Sequence, residues 1–545
     1  MLTADPQPNI CKSNRVMLLS FIIAQIYKTF AFLSHNMFCI SILFFTFEHT
    51  KPQPNVPFDV HHILSPEFLS EEQPSAEMVA LRNFCIEVMH QLPYEPNDQQ
   101  IRLIANVCYF VLFARQPSAF ILQGFAGTGK TSLIGAIVQT LTQNQIKSVL
   151  LAPTGRAAKV FSEYSHHAAF TIHRKIFRQK SYGNESFLLA ENKHTDTVFI
   201  VDEASMIPNV AADGAAFGSG HLLDDLVQYV YSGHNCRLIL VGDSAQLPPI
   251  AQDASPALSK SALEAYGLAV MCQQLTDVAR QAADSGILSN ATLVRNQISL
   301  QDFVRPKLNI DTFPDFKAIS GEYLVEEISD AYGRDGSNET IIITRSNKRA
   351  VLFNSAIRNQ ILFREDMLCA GDALLVAKNN YFWPQDYQEI DFIANGDTLQ
   401  VVRLRGEIEH RYGLQFTNAT VYLPDYDLEM DVKIILDALF SDTAALSRQQ
   451  SERMYQEIMA ELTGDKAERF RQLKQHPYFN ALQVKFAYAV TCHKAQGGQW
   501  NNVFIDLGYL AEDAFQQLDF FRWLYTAITR ARQQVHLINW PTQQE

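Results

Sequence analysis

The chain has 545 residues, 47% of them hydrophobic and 19% charged, with a net charge of −13 at neutral pH. That length exceeds what one ordinary core supports and calls for about three or four domains, and the composition excludes a disordered or low-complexity protein. So acidic a total rules out a uniformly basic surface but leaves room for a basic groove, so local residues must decide whether nucleic acid binds. Eight cysteines, Cys11, Cys39, Cys85, Cys108, Cys236, Cys272, Cys369 and Cys492, lie far apart with no C-x-x-C pair. This argues against structural zinc and for reduced thiols in a cytoplasmic setting.

Residues 16–47 are strongly apolar but broken by Lys28, His35 and Asn36. Three readings compete: a membrane anchor, which wants about 20 uninterrupted apolar residues; a cleaved export signal; or a stretch upstream of the functional start, with Met78 opening the first helix, MVALRNFCIEVMHQL. The third is preferred, so residues 1–77 are expected to be an apolar extension and linker, and membrane attachment is not expected.

Residues 124–131, GFAGTGKT, fit G-x-x-x-x-G-K-[ST] and follow a strand-like apolar run. Glycines there let backbone N–H groups turn inward around phosphates, Lys130 reaches the terminal phosphates and Thr131 offers a hydroxyl to Mg²⁺. Gly124, Gly127, Thr128, Gly129 and Ser132 complete the expected cradle. Further strand-like runs alternate with helix-length segments, which predicts a parallel sheet covered by helices over residues 78–300. TVFIVDE, residues 197–203, ends a strand with two carboxylates, where Asp202 suits the Mg²⁺ shell and Glu203 the attacking water. In LVGDSAQLPPI, residues 240–250, Gln246 is placed to sense the γ-phosphate.

APTGRAAK (152–159), VDEAS (201–205), GDSAQLPP (242–249), LTDVARQ (275–281), YAVTCHKAQGGQW (488–500) and LYTAITRAR (524–532) follow in this order. With the phosphate loop they resemble the motor core of superfamily one helicases, and specifically the RecD-like branch, over residues 78–545. The resemblance implies two RecA-like P-loop domains that clamp ATP and Mg²⁺ between them and move 5′ to 3′ on single-stranded DNA. It assigns Gln100 to the adenine, with the neighbouring Gln99 leaving the register open by one. Arg280 and Arg530 resemble the two arginines that reach the γ-phosphate. Pro153, Thr154, Gly155, Thr171 and His173 in the first lobe, and Thr491, His493 and Lys494 in the second, resemble the DNA contacts. Gln499 departs from the pattern, since many members carry Glu there to meet the ribose.

Residues 178–196 contain Gly183-Asn184 and predict a short hairpin, which the resemblance makes a candidate wedge. The second RecA-like domain is expected over 301–365 and 481–545. Alternating apolar residues and turn pairs over 366–430 predict a small antiparallel barrel, similar to the family's SH3-like insertion, with Lys378, Asn379 and Tyr381 placed for backbone contact and stacking. Residues 431–480 read as a solvated helical insert. The functional expectation is an ATP-dependent helicase or translocase in DNA repair or recombination, acting on single-stranded and forked DNA with unidentified repair or replication partners. The alternative is a non-motor P-loop nucleotide switch, which would need no arginine from a second lobe.

Overall fold

The computed structural model describes residues 59–65, 68, 74–114, 117–179, 187–210, 217–278, 284–310, 312–387, 390, 392–509 and 512–540. The apolar stretch 16–47 therefore lies outside the described residues, as do Arg280 and residues 180–186 of the expected hairpin. Among the described residues no helix is long and apolar enough to cross a membrane.

Two compact units divide the chain. In the first, Asp59 caps the short helix Val60–Leu64 by accepting the His61 N–H at 3.0 Å. Helix Ala76–His90 begins two positions before Met78 and continues into the second unit. That second unit carries every site residue treated below.

Its strands are β1 (Ser118–Gly124), β2 (Lys147–Ala152), β3 (Ala169–Thr171), β4 (Phe177–Gln179), β5 (Phe187–Leu189), β6 (Thr197–Val201), β7 (Arg237–Gly242) and β8 (Ala269–Leu275). Six of them form one sheet in the order β3-β2-β6-β7-β1-β8, parallel throughout. TVFIV and RLILVG are buried along their full lengths, as strands covered by helices on both faces must be. Registers Leu122↔Val241 and Val201↔Leu240 bring the carboxyl ends of β1, β6 and β7 side by side. The loop after Gly124, the Asp202-Glu203 pair and Asp243 therefore meet at one edge. β4 and β5 pair antiparallel as the stem of the expected hairpin.

A second parallel sheet has the order β16-β10-β17-β18-β9, made of β9 (Phe316–Ile319), β10 (Thr340–Thr344), β16 (Ala489–Thr491), β17 (Trp500–Asp506) and β18 (Ala531–Ile538). Between β10 and β16 the chain forms a closed barrel of β11 (Ala373–Val376), β12 (Thr398–Arg411), β13 (Leu414–Leu423), β14 (Leu428–Ile435) and β15 (Leu482–Phe486). The barrel thus reaches beyond the 366–430 read from turn signals: β14 runs to Ile435, and the closing strand comes from the segment assigned to the returning RecA-like half. The reason is topological. β14 and β15 pair in parallel, Ile434 opposite Leu482, and a parallel pair needs a long crossover. Helices Arg448–Glu461 and Lys466–Lys474 lie within that crossover, and Met454, Ile458 and Leu473 pack against Leu414 and Phe416 of β13.

One hydrophobic cluster joins the two sheets' domains: Phe125, Ala245 and Leu247 of the first are continuous with Trp523, Leu524, Tyr525 and Ile528 of the second.

Candidate nucleotide cleft and nucleic-acid face

The phosphate loop leaves β1 at Gly124 and enters helix Lys130–Gln143. Gly129 takes φ +85°, and a Cβ there would lie 2.6 Å from the Tyr94 hydroxyl and 2.7 Å from Gln100 Nε2. Only glycine satisfies both the conformation and the close approach. Thr128 is fully buried and its hydroxyl donates to the Phe125 carbonyl at 2.8 Å. Lys130 Nζ donates to the carbonyls of Gly124 and Phe125, the latter at 2.9 Å, which folds the ammonium over the loop. Thr131 is exposed and Ser132 half-buried on the helix's first turn, where free N–H groups and the helix dipole favour an anion.

Of the two neighbouring glutamines, Gln100 is buried and touches this loop. Its Oε1 accepts the Asn97 N–H at 3.0 Å and its Nε2 donates to the Thr128 carbonyl at 2.9 Å, so one amide both caps its own helix and braces the cradle. Gln99 turns elsewhere and accepts the N–H groups of Thr276 and Asp277 at 2.9 and 3.1 Å.

Past β6, Asp202 Oδ1 accepts the Glu203 N–H at 2.8 Å and Oδ2 accepts the Tyr164 phenol at 2.6 Å. Burial, then the charge of Glu203, push the Asp202 carboxyl up to about 6. Both direct partners are neutral, and among the described residues Asp202 forms no ion pair. The all-oxygen set of Thr131 and Asp202 suits a hard cation such as Mg²⁺, which commonly takes one or two carboxylates together with substrate phosphates. Glu203 adopts φ +51°, a left-handed conformation that costs a non-glycine residue about 1–3 kcal/mol and clusters at functional sites.

The second lobe closes on this edge through helix Leu518–Ile528 and the residues after it. The buried Tyr525 hydroxyl accepts the Ala126 N–H of the phosphate loop at 2.8 Å and donates to Asp243 Oδ2 at 2.6 Å. Thr526 Oγ1 accepts the Leu247 N–H at 2.9 Å, and Gln496 Nε2 donates to the Leu247 carbonyl at 2.7 Å. Arg530 is 3% exposed, donates to the Thr526 carbonyl at 3.2 Å, and holds Nη1 3.7 Å from Glu203 Oε1. Gln246 is buried next in chain to these contacts, and its Oε1 has no hydrogen-bond partner among the described residues. Gln499 is exposed; its Oε1 accepts from Arg532 Nε at 3.3 Å and its carbonyl from Arg156 at 3.3 Å.

Sequence reasoning singled out Arg530 but missed Tyr525, Thr526, Gln496, Asp243 and Tyr164. The first four sit inside stretches already quoted as motifs, yet their partners lie in the other lobe, and no local spacing reports that.

Several nucleic-acid candidates stand at the carboxyl ends of β2, β3 and β16. Pro153, Thr154 and Gly155 follow β2; Thr154 caps helix Gly155–Ser165 by accepting the Ala157 N–H at 3.2 Å. Thr171 ends β3 and caps the next turn, accepting the Arg174 N–H at 3.2 Å. Thr491 ends β16 in the second sheet. His493 is exposed, and Lys494 Nζ bonds Asn395 Oδ1 in a barrel loop. His173 lies edge-on to Phe217 at 4.8 Å, and burial drops its pKa to about 4, so it enters any contact as a neutral ring. Phe187 of the hairpin meets Tyr381 of the barrel at 5.0 Å, and Phe392 joins them. Asn379 is likewise engaged, donating to Tyr381 Oη at 3.0 Å and accepting the Asn395 N–H at 2.6 Å. Lys378 is exposed. A Cβ on Gly155 would come within 3.0 Å of Asp397 Oδ1, so a barrel carboxyl rests directly on the start of helix Gly155–Ser165.

Comparison with known proteins follows the same division. Residues 96–299 match the family model for an AAA domain and residues 486–538 that for a UvrD-like helicase C-terminal domain. The ATP-dependent RecD2 DNA helicase of Deinococcus radiodurans is 26% identical over 426 residues, covering 76% of this chain and 46% of that protein. The chain thus spans about half the length of that relative. The ATP-dependent DNA helicase dda of Enterobacteria phage T4 is 26% identical over 449 residues, covering 76% of this chain and 93% of that protein. Among solved structures, Pif1 helicase from Bacteroides in complex with ADP-AlF3 and ssDNA aligns with a TM-score of 0.40 at 14% identity, over 82% of this chain and 93% of that one. The two family matches follow the order of the two sheets, and both helicases align along about three quarters of this sequence, so the chain is similar to RecD-like helicases across both sheets' domains.

Proposed function

We propose that the protein is an ATP-dependent DNA helicase whose hydrolysis is stimulated by single-stranded DNA, moving 5′ to 3′ in repair or recombination. The observation that carries this reading is the second lobe's grip on the nucleotide edge of the first: Tyr525 on the Ala126 N–H and Arg530 beside Glu203. A nucleotide switch needs no such grip, whereas a motor must change its hold on a track as the triphosphate between its lobes is cleaved.

In this reading the loop N–H groups and Lys130 bind the phosphates, with Gly124, Gly127, Thr128, Gly129 and Ser132 shaping the cradle and Gln100 bracing it near the base. Mg²⁺, held by Thr131 and Asp202, would neutralise phosphate charge. Glu203 orients and deprotonates the attacking water, Gln246 senses the terminal phosphate, and Arg530, with Arg280 as its expected companion, stabilises charge developing in transfer. Exposed Gln499 offers a ribose an amide where a carboxylate would bond more strongly. The strand-end residues Pro153, Thr154, Gly155, Thr171 and Thr491, with His173, His493, Lys494, Lys378, Asn379 and Tyr381, form the track for single-stranded DNA, and the hairpin meets the fork. A cytoplasmic location suits the ATP supply, and repair or replication proteins are the expected partners.

The test is phosphate release with and without a single-stranded oligonucleotide, beside strand displacement on a fork. Lys130→Ala is expected to reduce both to background; turnover equal to wild type in that variant refutes the site. Oligonucleotide-stimulated hydrolysis with translocation but no strand displacement would restrict the protein to moving on single strands.

A further inference from the structure

Helix Gly155–Ser165 starts beside one candidate site and ends beside the other. Its cap, Thr154, belongs to the proposed DNA track. Near its far end the Tyr164 phenol donates to Asp202 Oδ2 at 2.6 Å, while Oδ1 of the same carboxylate is held by the Glu203 N–H at 2.8 Å. One donor comes from Asp202's own strand end and the other from a separate element. The Tyr164 ring stacks on fully buried Phe161, centroids 5.2 Å apart at 23°. Its carbonyl lies 3.0 Å from where a Cβ on Gly135 of the phosphate-loop helix would sit, so the helix is also pressed against the element that carries Lys130.

We propose that Tyr164 is a positioning residue: its phenol sets the orientation of the Asp202 carboxylate that holds the Mg²⁺–nucleotide complex. Because it rides on the helix that begins at Thr154–Gly155, it also ties that orientation to polynucleotide bound at the helix's other end. The inference rests on the nucleotide reading above. A phenol donating to a carboxylate forms a charge-assisted bond that resists rotation of the acceptor, and outer partners of metal-holding groups are typically worth about 10–100-fold in metal affinity. Spatial connection alone does not establish coupling, so the experiment must read both ends of the helix.

The measurement is equilibrium binding of a fluorescent ADP analogue to the full chain, with and without Mg²⁺ and with and without a single-stranded oligonucleotide. In Tyr164→Phe the Mg²⁺-dependent gain in affinity should fall about 10-fold and its response to the oligonucleotide should vanish, while Mg²⁺-free affinity matches wild type. Phe161→Leu, which disturbs the stack but keeps the phenol, should preserve both. A Tyr164→Phe variant with an unchanged Mg²⁺ gain, or a Phe161→Leu variant that loses as much, overturns the proposal. An intact oligonucleotide response in Tyr164→Phe overturns the link along the helix. Wild-type protein that binds no nucleotide in any arm would instead refute the functional reading itself.

Discussion

The two sheets place an aspartate at the carboxyl end of a central strand, and the two carboxylates have opposite surroundings. Asp506, the last residue of β17 in the second sheet, is met by both arms of Arg349 at 2.7 and 2.8 Å. Asp202, after β6 in the first, meets a phenol and a backbone N–H, and its carboxyl is pushed up to about 6. A neutralised strand-end charge fixes structure; a strand-end charge left with neutral partners is disposed to take a cation. On the proposed function one architecture serves two purposes: the first sheet's edge carries the chemistry, and the second sheet's edge holds shape while its following helix reaches across.

Substitution should separate the two. Asp202→Asn is expected to cut DNA-stimulated hydrolysis on the order of 10²–10³-fold with stability within about 1 kcal/mol of wild type, read by phosphate release and thermal unfolding. A third carboxyl, Asp397 of the barrel, marks a different case. Burial, reinforced by Asp425 and opposed by the Ala394 N–H and Tyr426, raises it from 3.8 to about 7. The native group keeps its proton where the unfolded chain has released it, so its contribution to stability is complete below about pH 3.8 and is lost as pH rises through about 7. Asp397→Asn should flatten the stability profile across that window, by up to about 4 kcal/mol; an unchanged slope in denaturant titrations at pH 4 and 8 would contradict it. Asp506→Asn should show the smallest effect, a loss of about 1–2 kcal/mol because Arg349 is partly solvated, with turnover within about threefold of wild type. A large turnover loss there would erase the contrast between the sheets.

What the sequence made legible was local. The phosphate loop, the Asp202-Glu203 pair and the hydrophobic strands declare themselves because glycine conformation, strand burial and strand-end chemistry act over a few neighbouring residues. The hairpin stem at Phe177–Gln179 and Phe187–Leu189 was legible from one turn pair. What escaped depends on distant partners. Barrel closure by Leu482–Phe486 follows from a parallel pairing across a helical crossover. Tyr381 packs against Phe187 and Phe392, neighbours that no spacing in the barrel segment reports. His173 is a neutral ring among aromatic neighbours, a setting that its motif alone does not report. Thr526 and Gln496 carry no signature of their own; their roles arise only because residues 279 and 249 positions away in the chain meet Leu247.

The central claim is that the second lobe completes the chemistry of the first. Phosphate release in the presence of single-stranded DNA, compared between wild type and Arg530→Ala, tests it most directly. The account predicts a loss of about 10³-fold or more with nucleotide affinity retained. DNA-stimulated turnover in Arg530→Ala equal to wild type would contradict it.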